Sequence, residues 1–158
     1  MIEIKLTKGF TAIIDDCDAD LTDRPWHTSM GEKGYAARSK YIRSGYYAKI
    51  FLHRVILERK IGRKLEPKEF CDHINGDHFD NRRDNLRIAT HSQNLQNSKS
   101  QNPKSGYRGV FAKGEKWEAA ITINGKPVHI GTFKTAEEAH KAYREKSIEL
   151  RGEFARFD

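Results

Sequence analysis

Cysteine is scarce: Cys17 and Cys71 are the only two in 158 residues, too few for a disulfide framework or a four-thiolate zinc site. No apolar run approaches the roughly 20 residues needed to cross a bilayer. The first ten residues, MIEIKLTKGF, carry no signal-peptide core. A cytoplasmic protein with no membrane partner is therefore expected. Apolar residues make up only 37% of the chain, which argues against one large core and favours two small units.

What is abundant is positive charge. Lys and Arg number 29 against 22 Asp and Glu, a formal net charge of +7, and an excess of this sign points first to nucleic acid. The excess is local. Residues 31–66 hold 10 basic and 3 acidic side chains, whereas residues 1–30 hold 3 and 6.

An α+β protein with a β-rich N-terminal region is expected. IEIKL and FTAII read as short strands around the turn TKG, and DDCDADLTD as a polar connection or helix start. YAARSKYIRSGYYAKIFLHRVIL reads as two strands joined at Ser44-Gly45 and running into a helix near 51–60. Arg38, Lys40, Arg43 and Lys49 alternate there with tyrosines, a basic ribbon able to lie along a DNA groove. Arg54, on the helix, is a further candidate for phosphate. Between 96 and 106, QNSKSQNPKSG has the composition of a linker. We place the linker at 99–106, between a first unit at 1–98 and a second at 107–158. In the second, three strand-like runs precede a helix with the capping box Thr135–Glu138, an apolar stripe of Ala136, Ala139, Tyr143, Ile148 and Leu150, and Gly152 at its end.

The chemistry concentrates in CDHINGDHFDNRRDNLRIAT, residues 71–90. A strand over 69–74, the turn Asn75-Gly76, a second strand over 86–90 and a short helix opened by Thr90 and Gln93 place Asp72 and His73 on a strand, and His91, Asn94 and Asn97 on a helix. Hydrolysis of a phosphodiester needs a base near neutral pH and a cation at the phosphate. The neutral imidazole of His73 suits the first. Asp72 and Asn94 offer hard oxygens for Mg²⁺ or Mn²⁺, with His91 as an alternative ligand. Neighbours on a regular strand point to opposite faces, so Asp72 and His73 converge only if the strand ends, bulges or twists there. His78 reads as a surface or phosphate-contacting residue, and His53 as a packed helix residue.

The stretch DHINGDHFDNRRDNLRIATHSQN resembles the core of the HNH endonucleases, the ββα-metal nucleases, especially the zinc-free kind of phages and homing enzymes. The resemblance implies a core at about 51–98 with His73 as general base and Asp72 and Asn94 as ligands of one divalent ion, Mg²⁺ or Mn²⁺ and not zinc. It implies that Asn85 fixes the loop around the histidine without touching metal. It also implies double-stranded DNA as substrate, 5′-phosphate and 3′-hydroxyl products, nicking or cutting through a homodimer on DNA, and a bacterial or phage-infected cell as the setting.

The tail, with YRGV, KWEAAI, HIGTF and TAEEAHKAYREKSIELRGEFARFD, resembles the APETALA2-type domain of ethylene-response-like transcription factors, a three-stranded antiparallel sheet on one helix that reads DNA through the sheet. Arg108 and Trp117 fall on positions that touch DNA in that family. Phe111, Ala120, Thr122 and His129 depart from it, so a looser sequence preference is expected, carried by Arg108, Lys113, Lys116, Trp117 and Lys126. The alternative to a nuclease is a non-catalytic, sequence-specific DNA-binding regulator.

Overall fold

A computed structural model describes residues 1–29, 34–97, 105–123 and 125–157, without the side chain of Gln96. The chain forms two compact units, Met1–His91 and Ser92–Asp158. Most of the expected linker lies outside the described residues; Gln96 and Asn97 belong to a helix.

The first unit begins with the antiparallel pair β1 (Ile2–Lys5) and β2 (Thr11–Ile14), whose alternation buries Ile4, Ala12 and Ile14. The acidic stretch that follows is a 3-10 helix over Asp16–Asp23. β3 (His27–Thr28), β4 (Ala36–Arg43) and β5 (Tyr46–Phe51) make a three-stranded sheet in sequence order. α1 (Leu52–Ile61) follows directly and buries Leu52, Ile56 and Leu57. It stops at Gly62, whose φ of 72° is a left-handed cap that glycine adopts without a Cβ penalty. β6 (Phe70–His73) pairs antiparallel with β7 (Leu86–Ala89). Ile4, Leu6, Ile14, Leu21, Trp26, Leu52, Ile56, Leu65 and Leu86 share one core. The N-terminal strands are thus part of the same packed body as β7.

In the second unit, α2 (His91–Asn97) begins at the unit boundary. β8 (Val110–Lys113), β9 (Lys116–Ile123) and β10 (Lys126–Phe133) form an antiparallel sheet with β9 central, and α3 (Ala136–Arg151) packs on it. The α3 capping box is formed in both directions: Thr135 Oγ1 accepts from the Glu138 N–H at 3.2 Å, and Glu138 Oε2 accepts from the Thr135 N–H at 3.3 Å. The buried stripe is Ala136, Ala139, Tyr143 and Ser147. Ile148 and Leu150 are exposed, which corrects the expected stripe: the 3.6-residue period that buries 136, 139 and 143 brings 147 inward and turns 148 and 150 away. Gly109 sits at φ 70° under the Tyr143 ring, where an added Cβ would lie 2.2 Å from ring carbons.

Along the chain, β6, β7 and α2 follow the order strand, strand, helix. The residues of α2 from Ser92 onward group with the second unit. Among the described residues no helix is long and apolar enough to cross a membrane.

Candidate active site

β6 ends at His73. The Gly76 N–H donates to the His73 carbonyl at 2.9 Å, with Gly76 at φ 71°, so the strand breaks into a turn where the sequence places Asn75-Gly76. Asp72 lies opposite Arg87 and His73 opposite Leu86. Cross-strand partners share a face and neighbours alternate, so the two side chains leave opposite faces of β6. Asp72 Oδ2 accepts from Arg87 Nε at 2.9 Å, with the two side chains 4% and 11% exposed.

His73 is buried on the other face, among rings. Its centroid lies 5.2 Å from His53, 5.6 Å from His78 and 6.1 Å from Tyr35, and His78 stacks on Tyr35 at 4.4 Å. His73 Nε2 is 3.4 Å from Asn81 Oδ1. Burial pushes the His73 imidazole down to about 4, although the Asn81 contact works the other way. The ring is therefore neutral at physiological pH, the form a base requires. His53 is also held neutral, down to about 3, chiefly by burial, and among the described residues its Nδ1 has no hydrogen-bond partner.

The loop from 74 to 85 is built by its asparagines. The Asn85 side chain accepts from the Asn75 N–H at 3.0 Å and donates to Asn75 Oδ1 at 3.0 Å and to the Asp80 carbonyl at 2.7 Å. The Ile74 N–H donates to the Asn85 carbonyl at 2.9 Å. Asp80 accepts from Asn75 Nδ2 at 2.9 Å and from two nitrogens of Arg82 at 2.8 and 2.7 Å. Asn81 is fully buried and donates to the Phe79 carbonyl at 2.9 Å. The loop then docks on β2: the Ile13 N–H donates to the Phe79 carbonyl and the Asn81 N–H to the Ile13 carbonyl, both at 2.8 Å, while Phe10 stacks on Phe79. The backbone beside His73 is thereby tied to the N-terminus of the chain.

A second tie is electrostatic. Asp18, fully buried, accepts from Arg83 at 2.8 and 3.0 Å and from Arg59 at 3.2 Å. Burial alone would raise its carboxyl; hydrogen bonds from Arg83 and Arg59 more than offset this and hold it below the ordinary carboxylate range. The Arg83 N–H also donates to Asp15 at 2.7 Å. Sequence reading missed this clamp and the ring cluster. Residues 65 apart leave no local pattern, although the acidic run at 15–20 facing a basic core is a signal of complementary charge.

The DNA-contact candidates are distributed as follows. Arg54 donates to Glu58 at 3.1 Å and to the Leu65 carbonyl at 3.3 Å, which engages it within its own helix and loop. Arg38 lies 4.4 Å over the Trp26 ring. The β4–β5 register puts Arg38 and Lys40 on one face, while Lys49, opposite Ser39, falls on the other with Tyr41 and Tyr47. The cations of the ribbon thus occupy both faces. Arg43, beyond the bulge, is exposed at the tip with Tyr46. In the second unit Lys113 and Lys116 pair across the outer face of the sheet, with Lys113 bonded to Glu118 at 2.6 Å. Trp117 alternates with Glu118 and packs against the helix-side core, with Lys126 on the same parity. Trp117 is half-buried there, so part of its ring stays accessible. Arg108 is half-buried in the turn before β8. Asn94 sits on α2 in the second unit, and His91, exposed, lies 5.5 Å from the Phe70 ring.

Among the described residues no group of three or more His, Cys, Asp or Glu is arranged to hold a metal. The donors that sequence reading singles out are one carboxylate and one amide oxygen. Asp72 and Asn94 are hard oxygen donors of the kind that Mg²⁺ or Mn²⁺ take while keeping several of their own waters, and His91 would add a nitrogen as the alternative ligand.

Two histidines buried in neutral form make stability depend on pH. Their folded values lie below the ordinary 6.5, so the unfolded chain takes up protons first as pH falls. Stability is highest above about 6.5 and is lost as pH drops toward the folded values of about 4 and 3. Each histidine contributes a slope of at most about 1.4 kcal/mol per pH unit. Thermal melts between pH 7 and 4.5 should show this decline, and His53→Phe should flatten it. An unchanged slope in that variant would place the proton uptake elsewhere.

Comparison with known proteins places the chain in a family. Residues 51–96 match the HNH endonuclease family. Over 130 residues the chain is 32% identical to an uncharacterized HNH endonuclease of Acanthamoeba polyphaga mimivirus, covering 82% of this chain and 68% of that protein. The chain belongs to the HNH endonuclease family. It is also 33% identical over 93 residues to Protein 3.8 of Escherichia phage T7, covering 56% of this chain and 74% of that one. A segment of 57 residues is 42% identical to an ethylene-responsive transcription factor-like protein of Arabidopsis thaliana, 31% of this chain and 25% of that protein. No solved structure matches the chain.

Proposed function

We propose that the protein is a metal-dependent DNA endonuclease of phage or homing type that hydrolyses phosphodiester bonds to 5′-phosphate and 3′-hydroxyl ends. The observation that carries this reading is His73, a neutral imidazole held at the end of β6 by Asn81 and the surrounding rings, one residue from the Asp72 carboxylate. In this mechanism His73 accepts a proton from the attacking water at its imidazole. Asn85 keeps the turn after His73 in place through its three side-chain bonds. Asp72 and Asn94 would hold one divalent ion, which when bound supplies charge neutralisation at the phosphate and the departing 3′ oxygen. Because Asp72 and His73 leave opposite faces of β6, a shared phosphate must sit beyond the strand end. The second unit serves as an additional DNA-binding module, in keeping with its likeness to the plant transcription-factor-like protein.

The chain carries one such site, so nicked circles are the expected first product from supercoiled plasmid with Mg²⁺ or Mn²⁺. EDTA should abolish them, and DNA ligase alone should reseal them, since the ends are ligatable. Cutting that survives EDTA would overturn the metal requirement, and binding with no cutting would favour a regulator.

A further inference from the structure

The positive charge of residues 31–66 is not evenly available. On and after α1, Arg59 pairs with Asp18 and Asp20, Arg63 with Glu69, Lys64 and Arg54 with Glu58, and Lys60 donates to two backbone carbonyls. In the β4–β5 ribbon, among the described residues, no carboxylate pairs with Lys40, Arg43 or Lys49, and no acidic residue occurs in the sequence between Glu32 and Glu58. Among the described residues of 31–66, the cations without a carboxylate or carbonyl partner therefore belong to the ribbon, where Lys49 also lies 5.6 Å over the Phe51 ring.

The ribbon is rooted at Ala36 and Ala37, which are fully buried, and leaves the core beyond Arg38; residues 39–47 are all exposed. At about 3.3 Å per residue it projects roughly 15–20 Å. Its tip turns through Ser44 at φ 40° and Gly45 at φ 78°, the two positive values of a type I′ hairpin. A bulge between Tyr41 and Arg43 leaves Ile42 out of the ladder. Four large side chains crowd this end without cover: Tyr41 58%, Ile42 50%, Tyr46 73% and Tyr47 62% exposed. Tyr41 and Tyr47 brace each other edge to face at 5.5 Å.

Phosphate binding needs the three cations but has no use for Ile42 or the ring of Tyr46. An apolar tip on a narrow cationic ribbon suits a polyanion whose own apolar surface lies inside, between stacked bases. We infer that the β4–β5 tip is a wedge: Ile42 and Tyr46 enter an opened base step of duplex DNA while Lys40, Arg43 and Lys49 take flanking phosphates. A lipid surface is less favoured, because the ribbon offers only a few apolar side chains at one point and no broad apolar face. The inference rests on DNA being the substrate.

The test needs no recognition site. Full-length protein carrying His73→Ala, so that plasmid stays intact, is bound to relaxed circles, which are treated with topoisomerase I and stripped of protein. A wedge unwinds the duplex and shifts the topoisomer distribution. Adding Ile42→Ser and Tyr46→Ser should abolish the shift, with filter binding weakened no more than about tenfold and an unchanged melting profile. Lys40→Ala, Arg43→Ala and Lys49→Ala together should lower the slope of log K against log salt by about 3. An equal shift with the serine variant overturns the wedge, as does tip-dependent binding to anionic vesicles or tip-dependent dimerisation without DNA. Absence of any DNA binding by the His73→Ala parent would instead overturn the DNA reading itself.

Discussion

Replacing His73 by alanine should lower the rate of plasmid nicking by about 10²- to 10⁴-fold, the usual contribution of a positioned acid–base group. The loss follows from chemistry rather than from charge at the phosphate, because the imidazole is neutral and its removal takes away a proton acceptor only. His73 is 3% exposed and surrounded by Tyr35, His53 and His78, so its truncation also leaves a cavity. Melting curves and filter binding on His73→Ala and on His73→Gln separate the two effects. Both variants should bind DNA within a few-fold of wild type and fail to cut. Asn85→Ala should also cut slowly but should melt early, since it breaks three bonds that shape the loop.

Asp18→Ala should cost about 3 kcal/mol of unfolding free energy, measured by urea denaturation. Removing one partner of a buried ion pair strands the other; here two guanidiniums lose their shared carboxylate, and the solvent that reaches them keeps the loss at the low end. Arg59 retains Asp20 at 2.6 Å, whereas Arg83 loses both of its side-chain bonds to Asp18. Asp18→Asn should cost less, because an amide oxygen can still accept one bond. The pH dependence has a definite sign. With its folded value lowered, Asp18 contributes fully above the unfolded value of about 3.9 and loses that contribution as pH falls through the folded value. Activity should fall with stability, since Arg83 begins the short turn that ends at Asn85.

These two residues also mark what the sequence disclosed and what it withheld. Local signals were readable: the Ser44-Gly45 hairpin, the helix from Leu52, the turn after His73 and the Thr135–Glu138 box all reflect neighbours a few residues apart. His73, Asp72 and Asn85 were readable for the same reason, lying within one short motif. Asp18 was not, because its partners lie 41 and 65 residues away and an acidic run reads equally well as a solvated connection. Nor was the docking of Phe79 and Asn81 on Ile13, which makes the N-terminal strands a support for the loop. The face that Trp117 shares with Ala119 and Ile121 was likewise hidden, because it follows from the register of β9 with its neighbours and not from any local pattern.

The most direct test of the account is chemical rescue of His73→Ala with added imidazole. Nicking should return in the presence of Mg²⁺, in proportion to the concentration of neutral imidazole and not of imidazolium, while wild type is unaffected. Nicking by His73→Ala at the wild-type rate without imidazole would contradict it.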